Sequence, residues 1–197
     1  MTAGSSAARR VRPLLIALFA LSAVAASPGA AQDIEERVAL CATCHGEDGR
    51  PSEADIPIIW GQEFYYLYVQ LKDYKSGLRA NDIMAPIAAE FSKDEMKALA
   101  QYFSEKPWPS IGYRAEDADI AAAQRATNAG QCPQCHLGGY DGDSRVPRLA
   151  GQQPAYLERT MLEFKNDVRL NSPAKGSLLG DYDDADIAAM AHYLAGL

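Results

Sequence analysis

A five-residue pattern, C-x-x-C-H, occurs twice in this 197-residue chain, as Cys41-Ala42-Thr43-Cys44-His45 and as Cys132-Pro133-Gln134-Cys135-His136, and the two copies use all four cysteines. The order has a chemical reason. Two thiols about one helical turn apart can add to the two vinyl groups of one porphyrin, and the imidazole of the next residue then meets the iron as proximal ligand. The pattern predicts two covalently attached haems c. One is held by Cys41 and Cys44 with His45 on its iron, the other by Cys132 and Cys135 with His136. A C-x-x-C alone would serve zinc or a disulfide equally well. A four-cysteine zinc site or two disulfides are the readings that the closing histidines argue against.

The surroundings of the motifs are compatible with haem attachment. Residues 1–31 read as a signal peptide, with Arg9, Arg10 and Arg12 ahead of an apolar stretch from Leu14 to Ala26 and small residues up to Ala31. The Arg9-Arg10 pair raises a twin-arginine route, but attachment of haem after export leaves little reason to fold first, so ordinary secretion to the periplasm is expected. An uncleaved membrane anchor is the competing reading. No other stretch is apolar enough to span a bilayer. The leader carries three of the 19 basic residues, so the mature chain has 16 Lys and Arg against 26 Asp and Glu, a net charge of −10. That balance argues against nucleic acid or anionic lipid as a partner and suits a redox protein with a basic docking face, although simple solubility accounts for it as well.

The mature chain repeats itself. His45 and His136 are 91 residues apart, and Gly61-Gln62 and Gly151-Gln152 are 90 apart. Tyr66-Leu67 matches Tyr156-Leu157, and Lys75 with Arg79 matches Lys165 with Arg169. A period of this size marks a duplicated domain rather than a solenoid. The expected organisation is domain 1 over 32–106, a linker over 107–116 and domain 2 over 117–197. Each half reads as helical. Asp33 to Ala39 and Asp119 to Ala129 lead into the motifs, the second capped by Asp117 or Asp119. Glu63 to Ser76, closed by Gly77, is repeated by Pro154 to Asp167. Ser92 to Glu95 has the form of a capping box for a helix through Phe103, and Asp183 or Asp184 starts its counterpart through Leu194. No strand pairs are evident. Trp108, in the Pro-rich link, is expected either between the domains or as a loop anchor.

The leader, the two C-x-x-C-H motifs, the Gly-Gln then Tyr-Leu steps and the terminal helices together resemble the dihaem cytochrome c4 family. The cytochrome subunit of flavocytochrome c sulfide dehydrogenase is a relative in kind. The resemblance covers residues 33–197. It implies an all-α protein of two tandem class I cytochrome c domains related by a pseudo-twofold axis, acting as a periplasmic electron carrier. It also implies that the carbonyls of Pro57 and Pro147 accept hydrogen bonds from the proximal histidines. The distal ligand of haem 1 is then Met84, in a loop between two helices, while Met96, Met161 and Met190 lie in expected helices as core filling.

The second half departs from the pattern, because its matching loop, Arg169 to Ser177, has Lys175 after Pro-Ala and no methionine. Three readings of haem 2 compete. Lys175 binds the iron as a neutral amine, although a lysine normally titrates near about pH 10.4. Alternatively the position is open, or His192 or Met190 substitutes. The functional expectation is an electron carrier with unequal haems, working with another cytochrome, a dehydrogenase or a terminal oxidase. The alternative is a dihaem oxidoreductase acting on a small sulfur compound such as thiosulfate at haem 2; Arg145, Arg148 and Arg169 could bind the anion there, but pairing with propionates or surface acids is the preferred reading of them. No spare cysteine is present to serve as a ligand for that chemistry. Gly138 to Asp143 lacks the terminal acid of a calcium loop and reads as a flexible insert. There is no G-x-G-x-x-G, P-loop or G-x-S-x-G.

Overall fold

A computed structural model describes residues 1–2 and 28–197. The apolar part of the expected signal peptide, Leu14 to Ala26, lies outside the described residues. Among those residues there are nine helices and no strand, only an isolated bridge between Asp143 and Val146. None of the described helices is long and apolar enough to cross a membrane.

The first half contains α1 (Pro28–His45), α2 (Phe64–Ser76), α3 (Met84–Ala89) and α4 (Lys93–Ser104). Helix α1 runs through the first haem motif instead of stopping at Ala39 as expected, since nothing between Leu40 and His45 interrupts a helix. Helix α2 ends where Gly77 turns left-handed at φ 77°, its N–H donating to the Tyr74 carbonyl. The capping box of α4 forms as expected. The Glu95 N–H donates to Ser92 Oγ at 3.2 Å, and the Ser92 N–H donates to Glu95 Oε2 at 2.8 Å.

The second half contains α5 (Asp117–Ala129), α6 (Cys132–His136), α7 (Pro154–Lys165), α8 (Pro173–Leu179) and α9 (Asp184–Ala195). Here the motif is a separate helix. Gln131 sits at φ 53°, and Pro133, which has no N–H to give, belongs in a first turn rather than in a helix interior. The cap of α5 is Glu116, not Asp117 or Asp119, and α7 ends two residues short of Asp167. Asp183 caps α9 by accepting from the Asp186 N–H at 2.8 Å. The two distal segments expected as loops are wound into short helices, with Met84 opening α3 and Lys175 inside α8.

Helix α2 packs on α4, and α5 and α7 both pack on α9. Phe91, Met96, Leu99 and Phe103 fill the first core; Ile187, Met190, Ala191 and Leu194 of α9 run through the second. Between α4 and α5 the chain is free of helix, and Trp108 there touches both halves. A Cβ on Gly61 would come within 2.9 Å of the Lys106 carbonyl and of the Trp108 N, and one on Gly151 within 3.0 Å of Trp108 Nε1. The Arg148 guanidinium lies 4.9 Å from the indole centroid. Trp108 therefore closes the seam between the halves. Tyr140 is buried within the Gly138 to Asp143 stretch, which is thus packed rather than a loose insert.

Gly61 and Gly77 both have positive φ, 67° and 77°, but nothing lies within 4 Å of an added Cβ on Gly77. Gly77→Ala should cost about 1 kcal/mol, the left-handed penalty alone. Gly61→Ala adds a backbone clash and should cost at least about 2 kcal/mol. Guanidinium melts of the haem-loaded protein check the order of the two.

Candidate haem sites and the seam between the halves

Both proximal histidines are held as the family resemblance implies. His45 Nδ1 is 2.8 Å from the Pro57 carbonyl oxygen, and His136 Nδ1 is 3.0 Å from that of Pro147. With Nδ1–H donating to a carbonyl, Nε2 is the nitrogen left for a metal. Burial lowers the pKa of His45, against the Pro57 bond that raises it. Burial also takes His136 down to about 4, against the Pro147 bond and with a further push from the charge of Lys175. Both imidazoles are therefore neutral near pH 7, the form that binds iron.

No disulfide joins the four cysteines, and among the described residues no group of three or more His, Cys, Asp or Glu converges on a point. The two C-x-x-C pairs thus do not assemble a shared zinc site. Burial raises the Cys41 thiol to about 11 and raises Cys132 as well.

One cavity of about 720 Å³ runs past both motifs, bordered by Cys41, His45 and Met84 on one side and Cys132, His136 and Lys175 on the other. Met84 is placed by Asn81, whose Oδ1 accepts from the N–H of Ile83 at 3.1 Å and of Met84 at 2.7 Å. Lys175 is half-buried, its Nζ 5.0 Å from the Phe164 ring centroid. Burial, helped by the nearby Arg169 charge, brings its pKa down to about 8. His192 is elsewhere: its Nδ1 is 2.6 Å from Asp119 Oδ2 and its ring lies against Tyr113, away from the cavity lining. Of the three readings of haem 2, the one that gives the iron to His192 has no support in this arrangement. Met190 is 2% exposed, bordering the cavity from within the core of α9.

Where the halves meet, the bonds are reciprocal. Gln152 accepts from the Ile58 N–H at 2.8 Å and donates to the Ile58 carbonyl at 3.0 Å. Gln62 does the same to Arg148, at 2.8 and 3.0 Å. Arg79 donates to the Tyr156 hydroxyl at 3.2 Å, and Arg169 to the Tyr66 hydroxyl at 3.4 Å. Burial would raise Tyr156, but the guanidiniums of Arg79 and Arg169 outweigh it and bring it to about 7; Tyr66 is raised, chiefly by burial. Of the arginines expected near haem 2, Arg148 pairs with Asp141 at 2.7 Å and Arg145 lies over Tyr65, while Arg169 is buried in this seam. The seam residues were visible in the sequence only as repeats in register. Their pairing across the halves was not.

These residues fit haem. Besides the thiols and imidazoles, Arg169 is only 5% exposed, and its Nη1, among the cavity-lining groups, has no hydrogen-bond partner in the protein. A porphyrin carboxylate is the kind of acceptor such a donor requires.

No family model matches the chain. It is 35% identical over 170 residues to the thiosulfate dehydrogenase electron acceptor of Stutzerimonas stutzeri, covering 80% of this chain and 78% of that protein. It is 32% identical over 172 residues to cytochrome c4 of Thiocapsa roseopersicina, covering 80% of this chain and 87% of that one. The chain belongs to the cytochrome c4 family. The solved structure of reduced cytochrome c4 from Pseudomonas stutzeri superposes with a TM-score of 0.76 at 26% identity, covering 85% of this chain and 98% of that one. The fold is accordingly two tandem class I cytochrome c domains, the cofactors are two haems c, and the protein is a dihaem electron-transfer cytochrome.

Mass spectrometry of the mature protein should show two haems added covalently. Cys132→Ser combined with Cys135→Ser should leave one. Retention of both haems would show that attachment does not depend on this pair.

Proposed function

We propose that this protein is an exported periplasmic electron carrier with two unequal haems, taking electrons from a dehydrogenase and passing them to another cytochrome or a terminal oxidase. His45 and Met84 would hold the iron of haem 1, and His136 and Lys175 that of haem 2. The observation that carries this reading is that Lys175 shares a cavity with His136, near enough for its charge to depress the imidazole, in a segment without methionine. Each haem, when bound, supplies a one-electron ferric/ferrous couple. The chain's own groups set the difference between the two. A thioether is soft and neutral and favours ferrous iron, which raises the potential. An amine is harder and favours ferric iron, which lowers it. With that ligation haem 2 would be the lower-potential site and haem 1 the higher, an order that suits entry at the second half and exit at the first.

Burial has already done part of the work of deprotonating Lys175, since its pKa of about 8 lies well below that of a solvated lysine. The Stutzerimonas relative is named as the electron acceptor of a thiosulfate dehydrogenase. That name supports the carrier's role for this chain over that of a stand-alone thiosulfate-oxidising enzyme. The mature net charge of −10 supports a partner with a basic docking face.

Ferric protein should show the near-infrared methionine-to-iron charge-transfer band for one haem only, and Lys175→Met should add a second. Two bands in the native protein would overturn the ligation. The lysine must be neutral to bind, so protons compete with iron: the low-spin signal of ferric haem 2 should persist at alkaline pH and be lost on acidification, with a midpoint at or below the pKa of about 8. Electron paramagnetic resonance across pH checks this. Turnover of thiosulfate by the purified protein without a partner would sink the carrier reading.

A further inference from the structure

The seam breaks the symmetry of the duplication at one place. The distal segment of haem 1 is held by its own residues: Asn81 folds back on the N–H groups of Ile83 and Met84. The matching Asn171 of haem 2 points the other way. Its Nδ2 donates to Gln70 Oε1 at 3.0 Å and to Asp73 Oδ2 at 2.9 Å, both on α2 of the first half. Arg169, two residues earlier, donates from Nη2 to the same Gln70 oxygen at 2.8 Å and from Nε to Asn171 Oδ1 at 2.9 Å. Asp73 is 3% exposed and Gln70 9%. The positions that match Gln70 and Asp73 at the repeat spacing of 90 are Thr160 and Glu163. They return nothing to the first half: Thr160 Oγ1 has no hydrogen-bond partner, and Glu163 pairs with Arg159 on its own helix at 2.7 Å.

We infer that Asp73 and Gln70, on the haem 1 half, are positioning residues for the distal side of haem 2, gripping Asn171 in a way that the second half does not return to Asn81. The tether grips Asn171, four residues before Lys175 and one before Ser172, the residue that caps α8. An Asp73 carboxylate buried at this depth has one side-chain hydrogen-bond partner, the Asn171 amide. Releasing that amide leaves a buried anion unsatisfied and frees the start of α8, the element that carries Lys175. Outer contacts of this kind fix how a ligand meets its metal. The inference rests on the proposed placement of the haem 2 distal side at Lys175, and the two fail separately.

The test uses the haem-loaded protein with Asp73→Ala. Its carboxylate touches no residue of the haem 1 distal segment, whereas Gln70 also bonds Arg79. Carbon monoxide binding to reduced haem 2 should quicken by about tenfold and the ferric haem 2 resonance should shift, while the methionine band of haem 1 keeps its intensity. Asn171→Ala removes this bond together with those to Gln70 and Arg169 and should change haem 2 at least as much, and the double variant should exceed Asn171→Ala by nothing. An unchanged haem 2 overturns the inference, as does an equal change at both haems or full additivity in the double variant. If Lys175→Met yields no second methionine band while Asp73→Ala still perturbs haem 2 alone, the tether stands and the lysine ligation falls. If the second band appears and Asp73→Ala is silent, the reverse holds.

Discussion

The two halves are joined through each other's proximal loops. Gln152 grips both backbone groups of Ile58, and Gln62 grips both backbone groups of Arg148. Ile58 and Arg148 directly follow the prolines whose carbonyls hold His45 and His136. Each half therefore fixes the peptide next to the hydrogen bond that orients the other half's iron-binding imidazole. Displacing one domain against the other would break four buried or part-buried hydrogen bonds and disturb both proximal histidines. Buried amide groups left unpaired cost about 1–3 kcal/mol each, so the arrangement strongly favours a single relative orientation. The glycines before these glutamines allow Trp108 to close over the seam; a side chain at Gly61 or Gly151 would meet it.

Such a frame leaves room where a hydrophobic core would otherwise close. Each half is short for an independent core, and Leu67, Met84 and Leu99 on one side and Leu157, Met161 and Leu179 on the other border the cavity that the haems complete. The apolar lining explains the electrostatics of the groups facing it. It raises the Cys41 thiol, lowers His45 and His136, and lowers Lys175, in each case favouring the uncharged form.

Much of this was legible in the sequence because it depends on local order. The C-x-x-C-H repeats named the cofactor and its number, Ser92 with Glu95 named a cap, Gly77 ended α2, and the shared period gave the two-domain fold. Other features depend on what the chain meets in space. The continuation of α1 through the first motif needed only the absence of a breaker, while Pro133 and the left-handed Gln131 set the second motif apart. The short helices at Met84 and Lys175 were hidden by the prolines beside them, which suggested loops; Pro173 instead opens α8. His192 looked available until Asp119, 73 residues away in sequence, claimed it. The glutamine and arginine exchanges link residues 77 to 103 positions apart, a separation at which no periodicity signals contact.

Duplication supplies two equivalent sites, and the unequal haems proposed above require that they stop being equivalent. The proximal sides share the same imidazole, the same proline carbonyl and the same glutamine clamp, although the first motif lies within α1 and the second in its own helix. The halves differ at the distal segments and at the helix that faces the seam, where α2 has Gln70 and Asp73 and α7 has Thr160 and Glu163 at the matching positions. That division has a physical advantage. Proximal changes would travel through the clamps and alter both irons together, whereas a distal change reaches one. As the proposed ligands, Met84 beside its self-capping Asn81 and Lys175 beside its tethered Asn171 would be held in two ways, one local and one borrowed from the neighbouring domain. A ligand held from the neighbouring domain also feels that domain's charge, since Gln70 takes hydrogen bonds from both buried guanidiniums, Arg79 and Arg169, at 2.9 and 2.8 Å.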